Sequence, residues 1–293
     1  MSKRPPSVRR RRLGAQLRKI REERGLTLDE AAALVMMSKS ALSRIENAQV
    51  VARAHEADYI LMAYGIEEGD LRSALVGLAT GGRSRDWIRR HKFPGKGPNY
   101  GEYALLEQDS SELFTYHADL IPGLLQTPEY AHAVMTSVPD SGVSDIDKGV
   151  AYRMARKEAL TRPDPLSIKA VIGEAAISQW MGGHEIMAAQ LRHLRELIGW
   201  PNIQLRVLPF TATKHPGVDG SFTILHVEAG NFPIVVVDGF RRTIFIEDDD
   251  DVAAYRKIQT ELCGVALSEA ETRERIEQAV RSLRTAVAER SSR

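Results

Sequence analysis

Apolar side chains recur at Leu13, Leu17 and Ile20, spaced four and then three, which predicts one face of an amphipathic helix running to Arg24. Gly25 follows where a helix terminus needs positive φ, and Leu26 can fold back onto the last turn. Thr27 opens a second helix. Its hydroxyl caps the new N-terminus while Glu30, three residues on, reaches back to the Thr27 amide. That helix is Ala-rich and ends near Val35. Ser38 is the N-cap of a third, with Leu42 and Ile45 as its buried face and Asn47 as a left-handed terminator. Tyr59, Ile60, Met62 and Tyr64 before Gly65, then the stripe Leu71, Ala74, Leu75 and Leu78, add a fourth and a fifth helix ending near Ala79.

The pattern then changes. Thr80-Gly-Gly82 breaks the helical period, and the basic, then Pro/Gly-rich stretch to residue 102 reads as a linker anchored by Trp87 and Ile88. Thr127 followed by Pro128 is a helix start, and Ser144-Asp-Ile-Asp147 caps another helix running to about Leu160. Leu166, Ile168, Ala170 and Ile172 alternate as a strand does, and His184 to Trp200 is helical. Four strand-like runs follow: Ile203 to Leu208, Phe222 to Val227, Ile234 to Val237 and Thr243 to Ile246. Three of the four are separated by Gly- or Pro-containing turns, which predicts a small, mainly antiparallel sheet. The expected fold is α+β overall. It comprises a basic arm (1–12), an all-α five-helix domain (13–79), a linker (80–102) and an α+β domain (103–285). In the tail from Ser268, Ile276, Val280, Leu283 and Val287 form a heptad-like seam that either packs on its own domain or meets a second copy.

Composition narrows the class. The 293 residues suit two domains, and 43% hydrophobic residues suffice for real cores. A lone cysteine, Cys263, excludes an intramolecular disulfide framework and multi-cysteine metal sites. The longest aliphatic run, Ala31 to Met37, is far short of a bilayer span, and no apolar stretch suits a secretory signal after the basic start, so a cytoplasmic protein is expected. The charge is uneven. Ten basic residues against Glu22 and Glu23 give the first 24 residues a surplus of eight positive charges. The remainder carries a surplus of seven negative ones, for a total of +1. A basic head on a mildly acidic body points to a polyanion bound at one end or to a solubilising tail.

Two short helices joined by three or four residues make a helix-turn-helix, whose second helix enters the major groove N-terminus first. Here that end is Ser38-Lys-Ser-Ala-Leu-Ser-Arg-Ile-Glu-Asn47, and the stretch from Gly25 to Asn47 resembles the Cro/repressor (Xre-type) helix-turn-helix. The resemblance implies that Ser38, Lys39, Ser40 and Ser43 face DNA and that Arg44 reaches a phosphate or orients a neighbour. Leu42, Ile45 and Glu46 would then be structural. Thr27 starts the motif, and Arg11, Arg12 and Arg18 supply phosphate contacts. Two positions depart from the family pattern. Leu28 replaces the usual Gln, and Met36 replaces the turn glycine, which predicts a reshaped turn.

The second half also resembles a known group. Tyr116, Leu120-Ile-Pro-Gly-Leu-Leu-Gln-Thr-Pro-Glu-Tyr130, Val207-Leu-Pro-Phe210 and His215-Pro-Gly-Val-Asp-Gly-Ser-Phe222 are similar to the C-terminal domain of actinomycete Xre-type regulators of the WhiJ-like group. This implies a two-domain transcriptional regulator of double-stranded DNA and a small neighbour-encoded partner protein, while the two-fold symmetry of operators read by helix-turn-helix proteins makes a homodimer the expected form. The alternative is an antitoxin-like protein-interaction module, favoured by Leu28 and Met36.

Enzyme chemistry finds no foothold. His184-Glu185 lacks a second histidine at 188, and no nucleophile elbow or phosphate loop is present. Cys263, flanked by Leu262 and Gly264, reads as a buried thiol. His215 and Asp219 line either a polar pocket or a tight solvated loop. The acidic run Glu247 to Asp251 either chelates a cation or opens a helix. No catalytic residue, cofactor or metal is expected.

Overall fold

The computed structural model describes residues 6–80, 84–91, 98–137, 145–228, 232–239 and 243–291. The chain divides into two compact units, residues 1–89 with 227–232, and residues 90–226 with 233–293.

The first unit is helical. Its helices are α1 (Val8–Glu23), α2 (Leu28–Leu34), α3 (Lys39–Glu46), α4 (Ala54–Ala63) and α5 (Asp70–Thr80), and α6 (Ser84–Arg90) follows. Where a basic arm was expected to precede the first helix, α1 starts at Val8. The Ser7 hydroxyl accepts the Arg10 amide at 3.4 Å, and Val8 is buried, so Arg9 to Arg12 are helical residues. The Thr27 capping box is present. Glu30 N–H donates to Thr27 Oγ1 at 3.3 Å, and Thr27 N–H donates to Glu30 Oε2 at 2.8 Å.

Four consecutive helix ends share one device. After each of α1 to α4 the chain turns through a left-handed residue, and the amide beyond it bonds back five residues: Leu26 to Arg21, Met37 to Ala32, Gln49 to Arg44 and Ile66 to Leu61. Gly25 and Gly65 take that conformation without cost, whereas Met36 (φ 50°) and Ala48 (φ 55°) do so with a side chain. The turn after α2 is therefore not reshaped by Met36; the residue carries the strained conformation instead. The terminator after α3 is Ala48, one residue beyond the Asn47 expected. The Asn47 side chain instead hydrogen-bonds to Ser43.

Leu13, Leu17, Ile20, Leu42, Ile45, Ile60, Leu61, Leu75 and Leu78 are buried. Leu71, expected in the α5 stripe, is exposed. Trp87 on α6 is buried, while Ile88 beside it faces solvent, so only one of the two predicted anchors is buried. Gly14 sets how closely α1 and α3 approach, because a Cβ there would sit 2.4 Å from the Glu46 carbonyl oxygen.

The second unit begins with α7 (Pro98–Asp109), inside the stretch expected to be linker, and β1 (Ser110–His117). It continues with α8 (Pro128–Ser137), α9 (Ile146–Arg156), α10 (Glu158–Thr161), β2 (Ser167–Gly173), α11 (Ala175–Ser178), α12 (His184–Leu197) and β3 (Ile203–Leu208). After these come β4 (Phe222–Val227), β5 (Phe232–Asp238), β6 (Thr243–Ile246), α13 (Asp249–Val265) and α14 (Glu269–Ser291). The strand order is β3-β2-β1-β4-β5-β6.

The fold is α+β, but the sheet is mixed rather than mainly antiparallel. β1 pairs with β2, and β2 with β3, in parallel, because long helical segments join them. β5 and β6 are antiparallel, as the short connection between them requires. Phe114 and Tyr116 of β1 pack with Phe222, Ile224 and Val235 under Val252 and Leu262 of α13. Leu113, Thr115 and His117 lie on the opposite face.

The acidic run opens α13, where the Asp248 carboxylate caps the amides of Asp250 and Asp251. The predicted cap at Ser144 lies outside the described residues; Asp145 caps α9, and the helix breaks at Lys157. The C-terminal seam is used inside the chain. α14 packs on α11, α12 and β3 with Ile276, Val280 and Leu283 buried, so these three side chains are closed to a second copy. The Val287 side chain lies outside the described residues.

Candidate nucleic-acid interface

The helix-turn-helix is held from behind by one buried ion pair. Arg21 of α1 donates to Glu46, the last residue of α3, through Nε at 2.7 Å and through a terminal nitrogen at 3.0 Å. Its other terminal nitrogen bonds the Leu26 carbonyl at 2.8 Å. The hydrogen bonds to Glu46 outweigh burial and favour the charged guanidinium. Tyr64 lies close by, its phenol pushed up to about 12 by burial and the nearby Glu46 charge. Glu46 was expected to be structural, and this pairing is the reason.

In front, the exposed end of α3 presents Ser38, Lys39 and Ser40, with Ser43 half-buried one turn on. Ser38 Oγ accepts the Ala41 amide at 3.2 Å. The Lys39 ammonium donates to Asp29 of α2 at 2.7 Å, with both side chains more than half exposed. Arg44 bonds back to the Ser40 carbonyl at 3.2 Å, and Asn47 Nδ2 donates to Ser43 Oγ at 3.3 Å. Thr27 is exposed beside Glu30, whose carboxyl is held below its usual range by bonds from the Thr27 hydroxyl and amide. Leu28 is half-buried.

The structure therefore places Thr27, Ser38, Lys39, Ser40, Ser43 and Arg44 on one connected pair of helices. The arginines divide differently. Arg18 is exposed on α1 and paired with Glu22 at 2.8 Å. Arg11 and Arg12 are half-buried, Arg11 bonded to the Pro6 carbonyl at 2.6 Å and Arg12 over the Phe232 ring at 5.1 Å. Neither is a free arm residue. Arg10, not singled out from the sequence, bonds the Ala48 carbonyl at 2.9 Å and ties α1 to the end of α3.

The second unit holds a buried polar cluster that sequence spacing does not reveal. Arg156 donates to both oxygens of buried Glu107, at 2.7 and 2.6 Å, and lies 5.1 Å from the Tyr103 ring centroid. Beside it a cavity of about 20 Å³ is lined by Tyr103, Glu107, Thr115, His117 and the Pro122-Gly123-Leu124 turn. That is room for a water molecule and not for a metabolite. Burial holds the His117 imidazole down to about 4. Of the candidates read from sequence, His215 has a buried Nδ1 with no hydrogen-bond partner among the described residues, and Asp219 is exposed. The Cys263 thiol is part-buried and pushed up by that burial, which suppresses its nucleophilic form. Among the described residues no group of three or more His, Cys, Asp or Glu side chains is placed to hold a metal, and no helix is long and apolar enough to cross a membrane.

Two family profiles account for this geometry. Residues 12–75 match a helix-turn-helix domain, which runs from Arg12 within α1 to the middle of α5 and includes the Arg21–Glu46 pair and the start of α3. Residues 100–278 match a domain of unknown function, DUF5753. The chain belongs to the DUF5753 family. The matched span runs from α7 into α14, so the cavity, the Glu107–Arg156 pair and the mixed sheet are all features of the DUF5753 unit. No curated protein and no solved structure matches the chain.

Proposed function

We propose that the protein is a cytoplasmic, sequence-specific transcriptional regulator whose α3 docks in the major groove of double-stranded DNA. The observation that carries this reading is the exposed N-terminal end of α3, where two hydroxyls and an ammonium stand outward while Arg21–Glu46 fixes the helix from behind. Short polar side chains at that end match the donors and acceptors of base edges, and a cation beside them matches phosphate. The protein acts as a homodimer, because sites of this class mirror protein two-fold symmetry. The DUF5753 unit supplies dimerisation, partner or ligand response, and the assignment to actinomycete WhiJ-like regulators belongs to this same reading.

Gel-shift titration against its own upstream DNA tests the docking. Lys39→Glu should abolish sequence-specific binding and Ser43→Ala should weaken it. Sequence-specific affinity untouched by both would refute it.

A second reading draws on a separate observation. Leu34 and Met36 are exposed at the helix-turn-helix turn, 46% and 81% respectively. In an antitoxin-like interaction module that surface would receive a small neighbour-encoded protein. This version predicts stable co-purification with such a partner and no footprint on DNA.

A further inference from the structure

Ser38, Lys39, Ser43 and Arg44, all proposed to face DNA, are engaged within the chain, and one engagement differs in kind from the rest. Ser38, Ser43 and Arg44 bond to groups of α3 itself or its cap, which stay in place whatever the helix meets. Lys39 instead bonds across the turn to Asp29, in the first turn of α2, at 2.7 Å. The Lys39 side chain is 59% exposed and that of Asp29 67%, so both stand on the surface that a duplex would approach. A carboxylate there has two effects. It neutralises the cation nearest the groove, and it repels the phosphates that would compete for that cation. It does not prevent the ammonium from using a second N–H, since a lysine has three donors.

From this geometry, and resting on the DNA-binding reading above, we infer that Asp29 is a selectivity residue: it withholds Lys39 from generic phosphate contact and keeps it aimed along the start of α3 toward base edges. On random DNA the pair must break for Lys39 to reach a phosphate. On a cognate site Lys39 donates to a base acceptor with Asp29 still bonded. Asp29 thus lowers non-specific affinity more than specific affinity.

The test compares wild type, Asp29→Asn, Lys39→Gln and the double variant. Each is titrated with a random-sequence duplex and with the tightest duplex selected by the wild-type protein from a random pool. An exposed ion pair is worth a modest amount, so Asp29→Asn should tighten random-duplex binding about two- to fivefold without tightening binding to the selected duplex. The salt dependence on random DNA should steepen by about 0.9 in the log–log slope, one added phosphate contact. In the Lys39→Gln background the same substitution removes only the repulsion of phosphates, which acts on both duplexes alike, so the ratio of the two affinities should not change. An unchanged ratio of the two affinities in Asp29→Asn, whether both tighten together or neither moves, overturns the role of Asp29. So does a change in ratio of the same size without Lys39. Amide exchange in α2 checks that the helix remains formed, since Asp29 also sits at its positive end. Failure of the wild-type protein to select any duplex is a different result and strikes the DNA-binding reading itself.

Discussion

Truncating Glu46 should loosen the helix-turn-helix more than any surface change near it. The Glu46 side chain is 4% exposed and accepts two bonds from the Arg21 side chain, which is itself only 10% exposed. Glu46→Ala leaves a guanidinium with its Leu26 bond and only the outlying Glu22 carboxylate as counter-charge, in a place that water reaches poorly. Removing one partner of a buried pair costs about 3–5 kcal/mol. The remaining bond to Leu26 and the outlying carboxylate of Glu22, 3.4 Å from Arg21, put the expected loss near the lower limit, about 3 kcal/mol. Hydrogen exchange read amide by amide in the intact protein is the suitable assay, because it reports α1 and α3 without assuming that the two units unfold together. Exchange of the most protected α1 and α3 amides should accelerate about 100-fold or more, at tenfold per 1.4 kcal/mol. Protection in the β1–β3 part of the sheet should be unchanged. The double replacement Arg21→Met with Glu46→Leu removes both charges and fills similar volume, so exchange should return to within about tenfold of wild type. Acceleration of less than tenfold in Glu46→Ala, or a double variant as loose as the single one, would refute the reasoning.

Other outcomes follow from single contacts. Gly14→Ala places a methyl 2.4 Å from a backbone oxygen of α3, which a side-chain rotation cannot relieve. The loss should be about 1–3 kcal/mol by the same exchange assay, with α3 displaced from α1. Met36→Gly should stabilise the first unit by about 0.5–1 kcal/mol, because the side chain is mostly in solvent and glycine takes φ 50° without strain. A denaturation midpoint lower than wild type would contradict it. His117 is held neutral by burial, its folded value near 4 against an ordinary 6.5. The unfolded chain therefore binds the extra proton first. Its contribution to the second unit is fully present above about 6.5 and is lost as pH falls toward 4. His117→Asn should flatten the stability profile in that window, and an unaltered profile would rule out His117 as its source.

Much of the first unit is legible in the sequence because its signals are local. The Thr27–Glu30 capping box, the Ser38 cap and the Gly25 and Gly65 ends each involve residues within a few positions of one another. The left-handed turns at Met36 and Ala48 were not legible. There the need of the helix end for a closing turn, set by packing of α2 on α3 and of α3 on α1, overrides the preference of the residue. The strand content of the second unit was readable where strands alternate or run apolar, as in Ile203 to Leu208. β1 escaped because Ser110-Ser-Glu112 opens it with polar residues, although it sits between β2 and β4 in the middle of the sheet. Parallel pairing was also hidden. It depends on which strands the helical connections bring together, and no residue reports that. At the proposed interface, local spacing puts Thr27, Ser38, Lys39, Ser40 and Ser43 on the helix pair where the structure has them, but it does not reveal the Asp29 contact, which joins side chains ten positions apart across a turn. The Glu107–Arg156 pair, separated by 49 positions, lies further beyond the reach of periodicity.

In the proposed complex the start of α3 reads base edges in the major groove. Methylation protection at guanine N7, which lies in that groove, tests it most directly on a duplex selected by the wild-type protein. Guanines should be protected in wild type and lose protection at particular positions in Lys39→Gln, with phosphate contacts elsewhere retained. A protein that leaves every guanine N7 reactive while bound, or whose protection pattern is indifferent to Lys39, Ser40 and Ser43, would contradict it.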